Sequence, residues 1–239
     1  MPRPLKNAGF AQGLYVVSAT QNEMLGTLRA TADGRFFRYG LAGGTLVAGG
    51  STIGATVTAN HFAQVQTAYT TSVGQYNVNV VVGATAVTAK QYTDGFLQIY
   101  DGAAGTSGLQ YQISGHATSA GSAAVAVTLR DPIVVATIAT TTMSLIPNTW
   151  SSCTHAGTLA SSVTGVAVVA ATSGQYTWLQ VGGIACCKTL TTTPLGTVMY
   201  QGTNVQELTT AAGYTSPYQG YALYAAVADK WCPVMLTLN

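Results

Sequence analysis

The run Leu25-Gly-Thr-Leu-Arg-Ala-Thr-Ala-Asp33-Gly34-Arg35-Phe-Phe-Arg-Tyr39 carries the clearest local signal in the chain. Asp33-Gly34 between two strand-like runs predicts a tight hairpin, because both central positions of such a turn need positive φ. On the second strand Arg35, Phe37 and Tyr39 share one face, and Phe36 and Arg38 share the other. Ahead of the hairpin, residues 1–24 read as an extended arm. Pro2 and Pro4 block a helix there, Gly9 and Gly13 keep the arm flexible, and residues 14–17 offer a short strand.

The same period-2 logic continues downstream. Gly43-Gly44 and Gly49-Gly50 bracket a short strand over 45–48. Tyr76, Val78, Val80 and Val82 alternate with Asn77, Asn79 and Val81, which predicts a strand with one apolar face. Residues 96–100 form the next strand, 101–108 a turn-forming loop, and Leu109, Tyr111 and Ile113 the apolar phase of the return strand. Strands follow at 123–129 and, beyond the break at Asp131-Pro132, at 133–138. Pro147-Asn148-Thr149 marks a boundary. After it, strands are predicted near 163–170, 175–181, 184–188, 198–200, 219–227 and 234–238. Turn residues recur every eight to twelve positions or so, the spacing of sandwiches and barrels. The fold class read from this pattern is all-β with at most one short helix. An N-terminal arm and hairpin (1–40) precede a β domain (41–147) and a smaller β-barrel or sandwich-like domain (148–239). No exact internal repeat is visible.

Composition agrees. The chain has 239 residues, of which 7% are charged, against roughly 25% in an average soluble protein. Its polarity comes from neutral groups: 36 Thr, 27 Gly and 14 Ser, beside 35 Ala. Thr, Val and Gly are poor helix formers, and Glu, Lys and Arg are scarce, which argues against a helical bundle. No apolar run is long enough for a spanning helix, so no membrane partner is expected. Residues 1–40 carry Arg3, Lys6, Arg29, Arg35 and Arg38 against Glu23 and Asp33; stretches 39–89 and 132–187 hold no charged residue. A surface so quiet has little charge repulsion between copies. It reads as a surface partly covered by other subunits.

The residues that carry chemistry are sparse. Asp33, Asp94 and Asp101 each precede Gly, where a carboxylate caps backbone N–H groups in a turn. Asp94 and Asp101 flank one strand, about 23 Å apart at ~3.3 Å per residue, too far for paired acid–base work. His61, His116 and His155 are scattered, and neither a Gly-x-Ser-x-Gly elbow nor a Walker lysine is present. Cys153, Cys186, Cys187 and Cys232 read as buried small apolar side chains, with Cys186 and Cys187 pointing to opposite faces of a strand. A metal site from Cys153, His155 and the cysteine pair lacks the paired spacing that zinc requires. No enzyme and no cofactor are therefore expected. The arginines interleaved with Phe36, Phe37 and Tyr39 suit single-strand stacking, but the charge is too weak for counterion release, so no nucleic-acid partner is expected. Tyr214, Tyr218, Tyr221, Tyr224 and Trp231 offer either packing or a sugar-stacking platform.

Several runs resemble a known group. They are Ala19-Thr-Gln21, the segment from Thr31 to Gly40 with Gly43-Gly-Thr-Leu-Val-Ala-Gly49, Asp94-Gly-Phe-Leu-Gln-Ile-Tyr-Asp-Gly102, Tyr111-Gln-Ile-Ser-Gly-His116 and Val127-Thr-Leu-Arg-Asp-Pro132. These are similar to tailed-bacteriophage virion structural proteins. Gly165-Val-Ala-Val168, Gly174-Gln-Tyr-Thr-Trp-Leu-Gln180 and Gly183-Ile-Ala185 resemble small head-decoration, or capsid-cement, domains. The resemblance implies a non-enzymatic virion protein on the capsid surface, assembled in the bacterial host cytoplasm. Its partners would be the major capsid protein and itself, as a trimer at local threefold positions. Arg29, Arg35, Phe37, Arg38 and Tyr39 are the expected partner-binding residues, and the remainder is expected to fold without residues 1–40. A tail or fibre component with a glycan-binding tip is the alternative.

Overall fold

The Asp33-Gly34 hairpin is present in the computed structural model, which describes residues 9–100, 108–155, 162–202, 208–210 and 218–238. Its turn differs from the expected one. The Gly34 N–H donates to Thr31 O (3.0 Å) and the Thr31 N–H to Arg35 O (3.0 Å). Gly34 takes φ +82° while Asp33 is absent from the positive-φ positions. That is a three-residue loop in which a single left-handed glycine closes the hairpin.

The protein is all-β. The described strands are β1 Leu28–Ala30, β2 Phe36–Leu41, β3 Ser51–Ile53, β4 Gln64–Val65, β5 Asn77–Val81, β6 Phe96–Ile99, β7 Leu109–His116 and β8 Ala124–Leu129. They continue as β9 Thr142–Ile146, β10 Thr154–His155, β11 Val163–Ala167, β12 Tyr176–Lys188, β13 Val198–Gln201, β14 Leu208–Thr209, β15 Tyr218–Ala222 and β16 Trp231–Thr237. One 3-10 turn, Ala59–His61, is the only helical element among the described residues. The two strands expected at 175–181 and 184–188 are one, β12. The apolar run 133–138 is not a strand; the strand lies later, at β9. The loop 101–107 is outside the described residues.

The chain forms two β units, divided otherwise than by the linear three-part reading. The first comprises residues 1–55 and 152–239, and the second residues 56–151. Residues 41–55 go with the first unit because β3 pairs with β10 and β11. In the first unit the sheet order is β10-β3-β11-β12-β16-β15-β13-β14, with β2 also on β12 and β1 on β2. In the second unit the order is β4-β9-β6-β7-β8-β5. Each unit has its own apolar interior. Val78, Val80, Leu97, Ile113, Val127 and Leu145 belong to the second. Val166, Cys187, Met199, Cys232, Val234 and Leu236 belong to the first.

The described part of the arm, from residue 9, is not free. Gln12 is 2% exposed and sits among the rings of the first unit. Its Oε1 accepts from the Tyr39 hydroxyl (2.6 Å), its Nε2 donates to Tyr176 O (2.9 Å), and its carbonyl accepts from Trp178 Nε1 (3.2 Å). Tyr39 stacks on Tyr176 and makes an edge contact with Trp178, as Phe10 also does. Residues 10–39 therefore complete the core they were expected to hang from. Removing residues 1–40 deletes Phe10, Gln12, Phe37 and Tyr39 from that core, together with most of a strand bonded to β12. The expectation that the remainder folds without them is corrected.

One local device recurs in both units. Leu46↔Ala171 and Thr193↔Ala226 in the first unit, and Thr71↔Thr137 and Val87↔Ser119 in the second, are isolated antiparallel bridges. After each bridging residue the chain turns tightly and enters a strand. Three positions past the bridge, at seven of the eight ends, Gly49, Gly74, Lys90, Ser122, Gly174, Gly196 and Asp229 have positive φ, from +57° to +88°, and Thr140 is the exception. A left-handed residue there is what a type II turn demands. That residue's N–H then crosses to the opposite segment. Gly49 donates to Ala167 O (2.7 Å), Gly174 to Ala42 O (2.8 Å), Gly74 to Ile133 O (2.8 Å) and Ser122 to Gly83 O (2.7 Å). Gly196 and Asp229 repeat the pattern with Ala222 O and Thr189 O, both at 2.8 Å. The internal repeat is thus one of backbone geometry, not of side chains.

Candidate interaction surface

β12 and β16 run antiparallel with Ile184 opposite Met235, Cys186 opposite Pro233 and Lys188 opposite Trp231. β15 lies against β16 with Tyr221 opposite Met235, and β13 against β15 with Val198 opposite Tyr221. Because successive side chains alternate, these residues share one face. Ala185, Cys187, Cys232 and Val234 share the other, which is the buried core. The outward face is apolar nonetheless: Ile184 is 55% exposed, Trp231 51%, Val198 40% and Tyr221 39%. Cys186 and Pro233 are exposed between them.

Beside this face lies a cleft of about 660 Å³. Ile184, Cys186, Trp231 and Pro233 form one wall, Ala48 and Gly49 another, and Tyr15 with Arg35 the rim. Gly49 is required here. Its φ is +72°, and a Cβ would fall 2.2 Å from the Trp231 ring and 2.7 Å from Cys186 O. The tight approach of this turn is what holds the Trp231 ring against the sheet.

The residues expected to bind a partner are distributed differently. Phe37 and Tyr39 are fully buried. Both are withdrawn as contact residues, since a ring inside its own core offers no surface. Arg29 places its guanidinium over the rings of Phe10 (4.8 Å) and Trp178 (5.4 Å) and donates to Gln12 O (3.1 Å). Arg38 donates to Gly26 O (2.8 Å). Arg35 pairs with Asp33 (2.7 Å), donates to the Tyr15 hydroxyl (3.1 Å) and alone of the five lines the cleft. Sequence reasoning missed Ile184 and Pro233, offered Trp231 only as packing or a sugar-stacking ring, and read Cys186 as buried, which is corrected because its phase of β12 faces outward. A signal was available: Trp231-Cys-Pro-Val-Met-Leu236 is apolar in both alternating phases, the mark of a strand covered on both sides.

Three of the four cysteines and the histidines are tied into the fold, while Cys186 is exposed. Burial pushes the Cys153 thiol up to about 12 and raises Cys187 and Cys232 as well. The His155 ring is tied into the backbone. The Val47 N–H donates to its Nε2 (2.6 Å), so Nδ1 carries the proton and donates to Ser51 O (2.8 Å). Burial lowers the His155 pKa, which keeps the ring neutral. His61 contacts the Tyr92 hydroxyl and Thr85 O, and His116 accepts from the Tyr92 N–H. Asp94 lies in a turn, as expected, but its carboxylate is buried and takes Arg130 at 2.7 Å. Among the described residues no three His, Cys, Asp or Glu gather as metal ligands. No helix among them is long and apolar enough to cross a membrane. Asp101 and Tyr214 lie outside the described residues. No family model, curated protein or solved structure matches this chain.

Proposed function

We propose that this chain is a non-enzymatic virion structural protein that binds the capsid lattice of a tailed phage, with the major capsid protein as its partner. The single observation behind this reading is the outward apolar face of β12, β16, β15 and β13. A chain whose described residues leave such a face open, and tie the histidines and three of the four cysteines into backbone and core, is suited to packing and not to turnover. The resemblance of the sequence to head-decoration domains supplies the setting. Lattice contact is assigned to the hairpin, where β1 pairs only with β2 among the described strands and Arg35 stands at the tip. An open strand edge gains affinity through main-chain hydrogen bonds, and many copies on one lattice add by avidity.

The test is occupancy. Heads assembled without this chain and then incubated with the purified protein should acquire it, visible by co-sedimentation and as added density in electron cryo-microscopy. Arg35→Glu should reduce that occupancy several-fold. Heads that stay bare overturn the reading. The exposed rings of Tyr218, Tyr221, Tyr224 and Trp231 favour the second reading, a tail or fibre component with a glycan-binding tip. Binding on a glycan array, lost on Tyr218→Ala or Trp231→Ala, would select it.

A further inference from the structure

β16 reads as a strand with both faces covered, yet the described residues cover only one. Val234, Leu236 and Cys232 are inside, whereas Trp231, Pro233 and Met235 face outward beside Ile184, Cys186 and Tyr221. Among the described residues no Asp or Glu lies on this outward face, and its cations sit at the rim, Lys188 opposite Trp231 and Arg35 across the adjoining cleft. An ordinary protein surface, about a quarter charged, would strand its charges against such a patch with nothing to pair them. A neutral patch selects a neutral partner. The chain's own surface meets this condition, since the chain is 7% charged overall.

We propose that the outer face of β12, β16, β15 and β13 docks the same face of a second copy of this chain. The docking is isologous: each Trp231, Ile184 and Tyr221 is covered by the apolar strip of the other copy, and the contact closes at two. Aromatic side chains bury about 150–250 Å² each. With the half-exposed aliphatics the patch offers on the order of 500 Å² per copy. Two copies then bury about 1,000 Å², the lower bound for a specific interface. The dimer is therefore concentration-dependent. The inference shares with the proposed function the view that this chain works by packing. It requires no phage particle, so either can fail without the other.

The experiment is sedimentation equilibrium on the purified full chain across a wide concentration range. Dimer should accumulate with concentration. Ile184→Asp and Tyr221→Asp should each weaken association by at least about tenfold, since each strands a carboxylate in the contact. Gln98→Asp, on the outer face of the second unit, should leave it unchanged. Both face variants alter exposed positions, and unaltered near-ultraviolet circular dichroism would verify their folds. A second readout uses Cys186, the exposed cysteine of the four. Its alkylation by a maleimide should slow as the wild-type protein is concentrated. A chain that stays monomeric throughout overturns the proposal. So does a dimer indifferent to both face variants, or Cys186 labelling that ignores concentration. A monomer that still binds heads would instead hand this face to the capsid protein.

Discussion

The two units present opposite outer faces on similar interiors. In the second unit the outward residues of β5, β7 and β8 are neutral and, apart from the small Ala126, polar: Asn77, Asn79, Gln110, Ser114 and Thr128. They pair laterally, Thr128 Oγ1 to Asn77 Oδ1 and Gln98 Nε2 to Gln110 Oε1, both at 3.0 Å. Such a face is content in water. In the first unit the corresponding positions of β12 and β16 hold Ile184, Cys186, Trp231 and Pro233, which gain nothing from solvent. Fully burying a large apolar side chain is worth about 1.5–3 kcal/mol, so each half-exposed ring or branched chain keeps roughly 1 kcal/mol in reserve for a partner. The lesson is that sheets of one composition class can be either finished or unfinished surfaces. Only the outward phase of each strand distinguishes them.

The largest effect that can test this contrast comes from reversing inside and outside. Val234→Asp and Val127→Asp place an unpaired carboxylate in the interior of the first and second units respectively. Each should cost more than about 4 kcal/mol and abolish a cooperative denaturant transition. Pro233→Asp, one position from Val234 but facing outward, should shift the midpoint of the dilute protein by about 0.5 kcal/mol or less. Equal losses at 233 and 234 would break the assignment of faces.

A middle-sized effect compares equivalent turns. Gly49 and Gly74 occupy the same place in the recurring crossing, at φ +72° and +88°. A Cβ on Gly74 meets nothing within 4 Å, whereas one on Gly49 strikes Trp231 and Cys186. Gly74→Ala should cost about 1–2 kcal/mol for its left-handed backbone alone. Gly49→Ala should cost about 2 kcal/mol more through overpacking and should change tryptophan emission by displacing the Trp231 ring.

The smallest effect is a pH dependence in the first unit. His155 has its pKa lowered by burial from the usual 6.5, so folding favours the neutral ring. Its contribution is complete above about pH 6.5 and is lost as pH falls through the lowered folded value, because the unfolded chain then binds the extra proton. Urea midpoints between pH 8 and 5 should fall on the acid side, and His155→Gln should flatten that slope.

Alternation made much of this legible. Val78, Val80, Tyr111 and Ile113 face inward as their spacing predicts, and Cys186 and Cys187 do point apart. Asp33-Gly34 announces its hairpin. Phe37 and Tyr39 show where the reading stops. Pattern placed them on one face but could not tell a face toward solvent from a face toward Gln12, Tyr176 and Trp178, residues up to 166 positions apart in pairing. The recurring crossing was hidden for a different reason. Only its left-handed position is specified, and Gly, Lys, Ser and Asp all fill it, so backbone geometry repeats where letters do not.

By itself, then, the sequence determined an all-β chain with little charge, because period-2 alternation and turn residues are local properties that neighbours along the chain enforce. Which segments share a unit, which phase of β12 and β16 stays uncovered, and which aromatic rings are inside were decided by long-range strand pairing. That choice depends on summed burial across distant segments, and no short stretch encodes it.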